Sequence, residues 1–328
     1  MVHVKNKPNR AFKWVTLASF MMLTGFLVLS FSEDEGVEKE FFERFQDDYS
    51  IYSIKLPDSL FFAGESVPVD FYDVREDLDR ELLVNTYWQS HTLLYIKRAN
   101  KYFPLIEDIL EKNGVPEDFK YLPLIESDMT HVVSPSGAVG FWQLMKGTAR
   151  DYGLEVNDEV DERYHLEKST QAACDYLREA YEKFGSWTLA AASFNVGRSA
   201  IARQLEIQNT DNYYDLLLNT ETGRYIYRLL AVKLILENPD KYGFHVRNED
   251  LYYPITTEKV KLDSSVESFA DYAKQHNLNY KELKSFNRWL RKPHLHNRNK
   301  KTYFIKVPVE ETYRDYQNHF QNENKEVD

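Results

Sequence analysis

The segment KYLPLIESDM, residues 120–129, sets one carboxylate, Glu126, directly after the apolar residues Leu122, Leu124 and Ile125. Burial against such neighbours penalises the charged form of an acid and raises its pKa toward the range where it donates a proton near neutral pH. A rise of about two units corresponds to roughly 2.7 kcal/mol. Phe141 and Trp142, a dozen or so residues further on, supply aromatic surface for the same setting. Asp128 is only two residues from Glu126, so on a helix it lies on another face and makes a poor second acid. A glycosidase that works on water needs two carboxylates, and here one stands alone. By itself a glutamate near a helix end is more often structural than catalytic, so its context decides.

Other chemistries lack their signatures. The chain has no HExxH, GxxxxGK[ST], GxSxG or GxGxxG motif, which argues against a zinc protease, a phosphate-loop enzyme, a serine hydrolase and a dinucleotide enzyme. His294 and His296 have no acid or cysteine near them in sequence, so no metal is expected, and no cofactor. The single cysteine, Cys174, lies in an apolar helical pattern and reads as packing.

The elements that must position Glu126 are helical. Apolar residues from Val74 to about Asn100 recur at helical spacing and predict one long helix, followed by a second at Phe103 to Lys112 ended by Asn113-Gly114. Pro116, Glu117 and Asp118 open a third helix, with proline and acids in the first turn and Glu126 near the other end, where the helix dipole discourages ionisation. HVVSPSGAVGFWQLM then reads as a structured turn before a short helix beginning at Gly147-Thr148. Further helices are predicted over 166–184, closed by Gly185, over 187–195, over 198–208 and over 221–236, stopped by Asn238-Pro239. Beyond 245 the pattern changes to strand, helix, helix, strand, the two helices breaking at Asn277. The expected organisation is residues 1–32 as export signal or anchor, 33–80 as an extended wrap leading into the first long helix, 81–245 as an all-helical domain, and 246–328 as a small α+β module with a tail.

Charge is segregated along the chain. Residues 1–32 hold four cations and no acid, so the rest carries −15 of the total −11. That balance makes nucleic acid an unsuitable partner. Lys5, Lys7, Arg10 and Lys13 precede an uncharged run from Trp14 to Phe31. This is expected to export the chain, either cleaved before Glu33 or retained as a membrane anchor, and it offers no cysteine for lipid attachment. The stretch 288–301 carries six cations and no acid, which reads as a solvated loop or as a contact for an anionic wall polymer or membrane surface.

In order and spacing, Glu126-Ser127, SPSGAVGFWQLMKGTA, AAASFNVG and ETGRYIYRLLAVKLIL resemble the four motifs of the lytic transglycosylase family. LPDSLFFAGESVPV and the stretch leading to Glu126 look like the membrane-bound lytic murein transglycosylase D group. The resemblance covers roughly residues 56–245. It implies a lysozyme-like, mainly α fold, with Glu126 as the catalytic acid and Ser127 orienting it. Gln143, Met145 and Asn195 would be cleft residues and Tyr225 the tyrosine of the last motif, while Phe141 and Trp142 are by type either core rings or rings that stack on sugar faces. The family's A-Y-N is Ser193-Phe194-Asn195 here, so Phe194 keeps the ring and lacks the hydroxyl.

The implied substrate is the glycan strand of peptidoglycan, cut between N-acetylmuramic acid and N-acetylglucosamine with a 1,6-anhydro product in the periplasm. A hydrolytic muramidase and a non-catalytic wall-binding protein are the rival readings. Residues from about 257 to 308 resemble a degenerate LysM module, with LDSSVESF in place of its usual Gly-Asp-Thr-Leu opening.

Overall fold

The computed structural model describes residues 51–309 of the 328. The export segment and the end of the tail lie outside the described residues. Among the described residues no helix is long and apolar enough to cross a membrane.

Leu60–Phe62 (β1) and Glu65–Val67 (β2) form an antiparallel hairpin in which Leu60 faces Val67. Its two turn residues, Ala63 and Gly64, both have positive φ, 51° and 82°, the handedness that matches strand twist. The extended wrap expected for this region is therefore, over 60–67, a tight hairpin: a two-residue turn lets Leu60, Phe62 and Val67 bury together. Phe62 meets Phe119 with ring centroids 5.4 Å apart. The Glu65 carboxylate accepts hydrogen bonds from the backbone N–H groups of Trp187 (2.5 Å) and Thr188 (2.9 Å) and from the Ser186 hydroxyl (2.9 Å). It thereby caps the start of a helix about 120 residues away in sequence.

The first long helix is interrupted earlier than its periodicity predicts. Tyr72–Tyr87 (α1) and Gln89–Lys112 (α2) meet at Trp88, whose φ and ψ are −87° and 59°. The second helix runs through the expected break near 101 and carries Pro104 within it. Apolar spacing continues on both sides of Trp88, so periodicity alone does not mark the bend. α1 buries Val74, Leu78, Glu81 and Leu82 against Thr220–Glu237 (numbered α8 below). The buried Glu81 carboxylate is met there by Arg224 Nε at 2.7 Å.

The predicted third helix is a 3-10 turn, Glu117–Tyr121, followed by a six-residue helix, Leu122–Ser127 (α3). Lys146–Asp151 (α4) follows the glycine-containing turn, and Leu166–Phe184 (α5) ends at Gly185 in the left-handed region. Trp187–Val196 (α6) buries Ala190, Ala191 and Ala192, small enough for close approach to α5. Arg198–Gln208 (α7) and α8 complete this helical part. Isolated β-bridges join Val139 to Val133 and Leu144, and the 81–245 stretch, expected to be all helical, is interrupted by that turn, by the 152–165 loop and by the connection between α7 and α8. Cys174 is buried and unpaired, as packing requires.

Thr257–Leu262 (β3) pairs antiparallel with Tyr303–Pro308 (β4), with Leu262 opposite Tyr303. Between them lie Phe269–Lys274 (α9) and Tyr280–Phe286 (α10), separated at Asn277, where φ is 57°. Asn279 and Glu282 form a reciprocal capping box on α10. This is the strand, helix, helix, strand order expected. Its core of Phe269, Leu283, Leu290 and Ile305 also includes Val139, Val160 and Tyr164 from the helical part.

Replacing Glu65 by alanine leaves the first N–H groups of α6 without their acceptor. Stability is expected to fall by about 1–3 kcal/mol, seen as a lower urea midpoint at unchanged m value.

Candidate active site

α3 is too short to hold itself, and its surroundings fix it. Pro123 suits its first turn, and the helix ends at Asp128 and Met129, two successive non-glycine residues with φ of 55° and 51°. Such geometry persists only where neighbours impose it. The neighbours are visible: the Asp128 carboxylate meets His91 Nε2 at 3.0 Å and the Tyr95 hydroxyl at 3.1 Å, and Arg98 donates to the Asp128 carbonyl at 2.9 Å. Burial alone would raise the Asp128 pKa, but the His91 and Tyr95 hydrogen bonds outweigh it and hold the carboxyl below its ordinary range. Asp128 is thus engaged by His91, Tyr95 and Arg98, and it lies just past the helix end in the left-handed region, not on another face of the helix as expected.

Glu126 is the penultimate residue of α3 and is only partly exposed. The Tyr225 hydroxyl donates a short hydrogen bond to its Oε1. Burial pushes the Glu126 carboxyl up to about 7, against the opposing effects of the Tyr225 hydrogen bond and the Arg228 charge; Glu221 adds a smaller upward contribution. Leu122, Leu124, Phe141 and Trp142 are all buried in the same core, which is the apolar setting expected. An acid at about 7 is present in both protonated and ionised forms near neutral pH, as general acid and base catalysis requires.

The other expected residues fall into two groups. Ser127, Phe141 and Tyr225 are buried. The Ser127 hydroxyl lies 2.8 Å from the Phe141 carbonyl and 3.0 Å from that of Pro123, so it ties α3 to the following turn and does not bond Glu126. Tyr225 reaches Glu126 directly. Phe141 packs edge-on to Tyr102, with centroids 4.9 Å apart, and reaches the wall of a cavity of about 840 Å³ also lined by His131, Tyr164 and Trp289. Both Ser127 and Tyr225 thus make their contacts from within the protein, Ser127 to the backbone of α3 and the turn and Tyr225 to Glu126.

Gln143, Met145, Phe194 and Asn195 retain exposure. Gln143 has φ of 44° and donates to the carbonyls of Gly140 (2.7 Å) and Val132 (3.2 Å), bracing the turn. Met145 is 45% exposed. Phe194 makes T-shaped contacts with Trp142 (6.0 Å) and Tyr176 (5.3 Å). Asn195 Oδ1 accepts from the Thr222 hydroxyl at 2.9 Å.

The turn over 137–144 is held from outside. Arg163, paired with Asp161 at 2.8 Å, donates to the carbonyls of Gly137 (3.0 Å) and Leu144 (3.2 Å). A side chain at Gly140 would sit 2.3 Å from the Arg163 carbonyl oxygen, and φ is +80° there, so only glycine fits. Trp142 Nε1 donates to the Thr170 hydroxyl at 2.8 Å.

Sequence reasoning passed over three residues of this site. Arg228 donates to the Ile125 carbonyl at 2.9 Å, Thr222 holds Asn195, and Glu221 lies within electrostatic reach of Glu126. Thr222 and Arg228 stand three residues either side of the expected Tyr225 on α8, a spacing that could have flagged those two; Glu221 lies off it. Elsewhere, the premise that His294 and His296 have no acid nearby is corrected: Glu159 Oε1 lies 2.7 Å from His296 Nδ1. It arrives from a loop some 135 residues earlier in the chain, a proximity that sequence order conceals.

The raised pKa has a thermodynamic consequence. The folded value near 7 lies above the unfolded value near 4.5, so the stabilising effect of the protonated acid is complete below about 4.5 and is lost as pH rises through 7. Glu126→Gln, which cannot ionise, is therefore expected to gain stability relative to the unaltered protein across that window. The gain at pH of about 8 is expected to be on the order of 3 kcal/mol, measured by urea unfolding at a series of pH values.

Comparison with known proteins gives two family matches along the chain. Residues 104–217 match the Transglycosylase SLT domain family, and residues 258–311 match the Soluble lytic transglycosylase C-terminal LysM-like domain. The chain is 29% identical over 220 residues to membrane-bound lytic murein transglycosylase D of Escherichia coli K12, covering 65% of this chain and 47% of that protein. It is 30% identical over 129 residues to a tributyltin chloride resistance protein of an Alteromonas species, covering 38% of this chain and 62% of that one. Among solved structures, the soluble lytic transglycosylase SLT70 of E. coli aligns at 19% identity and a TM-score of 0.37, over 47% of this chain and 27% of that one. The chain spans about half the length of the E. coli transglycosylase D that it matches. It carries a transglycosylase SLT domain and a C-terminal LysM-like domain, and it is a homologue of membrane-bound lytic murein transglycosylase D.

Proposed function

We propose that this protein is a lytic transglycosylase of the cell envelope. It cleaves the β-1,4 bond between N-acetylmuramic acid and N-acetylglucosamine in peptidoglycan without using water. The observation that carries the reading is Glu126: one acid, raised to about 7 by burial, on a helix whose neighbouring acid, Asp128, is bound to His91 and Tyr95.

In this scheme the protonated Glu126 gives its proton to the glycosidic oxygen as the bond from that oxygen to C1 breaks. The resulting carboxylate then takes the proton of the muramoyl 6-hydroxyl while that oxygen bonds to C1. The product is a 1,6-anhydro sugar, and Glu126 ends protonated again. Tyr225 orients the carboxyl and steadies its charged form between the two steps. Ser127 and Arg228 hold the backbone on either side. Gln143, Met145, Phe194 and Asn195 face the strand. At position 194 the missing hydroxyl leaves the phenyl ring to act by packing. The LysM-like module contributes a second contact with glycan. The uncharged run 14–31, outside the described residues, is read as the signal that brings the chain to the envelope.

One observation favours a second reading, hydrolysis. Glu221 is exposed and close enough to influence the Glu126 charge, and a second carboxylate is what a water-using enzyme needs. Mass spectrometry of sacculus digests separates the two. Anhydro-muropeptides are expected from the unaltered protein and from Glu221→Gln, with activity lowered about 10²–10⁴-fold in Glu126→Gln. Reducing-end products that depend on Glu221 would establish hydrolysis instead, and undiminished anhydro products from Glu126→Gln would remove the role given to that residue.

The pH profile gives an independent check. Because the first step needs the protonated acid, kcat/KM is expected to fall as pH rises through about 7. Tyr225→Phe removes a hydrogen bond that favours the carboxylate, so this limb should move to higher pH while the rate on its plateau drops.

A further inference from the structure

Outside the candidate active site, Glu159, His294 and His296 bring a carboxylate and two imidazoles to one place, with their ligand atoms all within 4.8 Å of one another. We propose that these three side chains bind a divalent transition-metal ion of the zinc class, clipping the 155–161 loop to the LysM-like module. Two imidazoles and one carboxylate form a donor set suited to zinc and its neighbours in the first row.

The separations are close to those a shared ion would impose. Tetrahedral ligands at about 2.0–2.1 Å from zinc lie about 3.3 Å from each other. Glu159 Oε1 is 2.7 Å from His296 Nδ1 and 3.7 Å from His294 Nε2, values that bracket this spacing. A pair would use one imidazole. Here the second stands just beyond hydrogen-bonding range, and the two rings are T-shaped with centroids 4.7 Å apart.

Both ligand-bearing segments are fixed by their own backbones. Leu295 pairs with Val266 through two 2.8 Å hydrogen bonds and is buried, so in this extended segment its neighbours 294 and 296 turn to the opposite side together. The Glu159 carbonyl accepts from the Arg291 N–H at 2.7 Å, its N–H donates to Asn157 Oδ1 at 2.9 Å, and Asp161 donates to the Trp289 carbonyl at 2.8 Å. Within the carboxylate, Oε2 accepts the His296 N–H at 2.7 Å, which leaves Oε1 directed at the imidazoles. Outer hydrogen bonds of this kind are what orient metal ligands. Glu159 and His296 also line a cavity of about 480 Å³ with Lys146, Arg150, Asp158 and Tyr303, giving space for water at the fourth position.

The test uses the full chain stripped of metal by a chelator. Zinc binding is followed by calorimetry, and cobalt binding by the visible spectrum of the ion. One site is expected that depends on these residues, with affinity lowered at least about tenfold in Glu159→Gln and in His294→Gln. His294→Gln leaves the Glu159–His296 contact in place, so its fold is expected to survive, as far-ultraviolet circular dichroism will check. Zinc should raise the thermal midpoint of the unaltered protein and not that of either variant. Absence of a zinc-dependent shift in the unaltered protein would leave an ion pair only and overturn the proposal. So would equal uptake by His294→Gln, which would place the ion on other histidines.

Discussion

The chemistry of this site depends on keeping a carboxyl group away from water without giving it a counter-charge that would ionise it. Around Glu126 three effects compete. Burial favours the neutral acid, while the Tyr225 hydroxyl and the Arg228 charge favour the carboxylate, and the balance falls near 7. A closer cation would drive the acid into permanent ionisation, and a fully dry pocket would keep it permanently neutral. Arg228 avoids the first outcome by spending a hydrogen bond on the Ile125 carbonyl rather than on Glu126.

That balance requires a helix of six residues to stay where it is put. Its C-terminal end carries two left-handed residues, and the strain is held by His91, Tyr95 and Arg98 on α2 and by Ser127 reaching the Phe141 carbonyl. The bend at Trp88 bears on this directly. It starts α2 afresh, and Trp88 stacks on His91 with centroids 4.0 Å apart, the same imidazole that meets Asp128. The hairpin over 60–67 supports the opposite end, since Asp118, in the 3-10 turn before α3, accepts the Ala63 N–H at 2.6 Å.

The turn over 137–144 links the site to the strand, helix, helix, strand module. Arg163 spans its two ends, Gly140 permits the close approach of the Arg163 backbone, and Val139 belongs to the module's own core. The basic stretch 288–301 is partly neutralised across this junction. Lys301 pairs with Glu155, and Arg291 stacks on Tyr164 at 4.0 Å. A stretch read in sequence as a solvated loop or a contact for an anionic surface is thus partly an internal contact.

The order of helices and the βααβ module were legible in the chain, because they rest on local terms, whereas Glu126 was singled out by the ordered motifs around it. The local terms are apolar periodicity and prolines and glycines at element ends. The break at Trp88 and the hairpin turn were not, since both sides of the bend share one apolar pattern and Ala63 is no turn residue by type. Only the folded chain decided which residues touch Glu126, that Ser127 and Tyr225 work from within the core, and that Glu159 stands beside two histidines far along the chain. Those facts depend on distances between segments separated by some 14 to 137 residues, and such distances are set by packing, which no local pattern encodes.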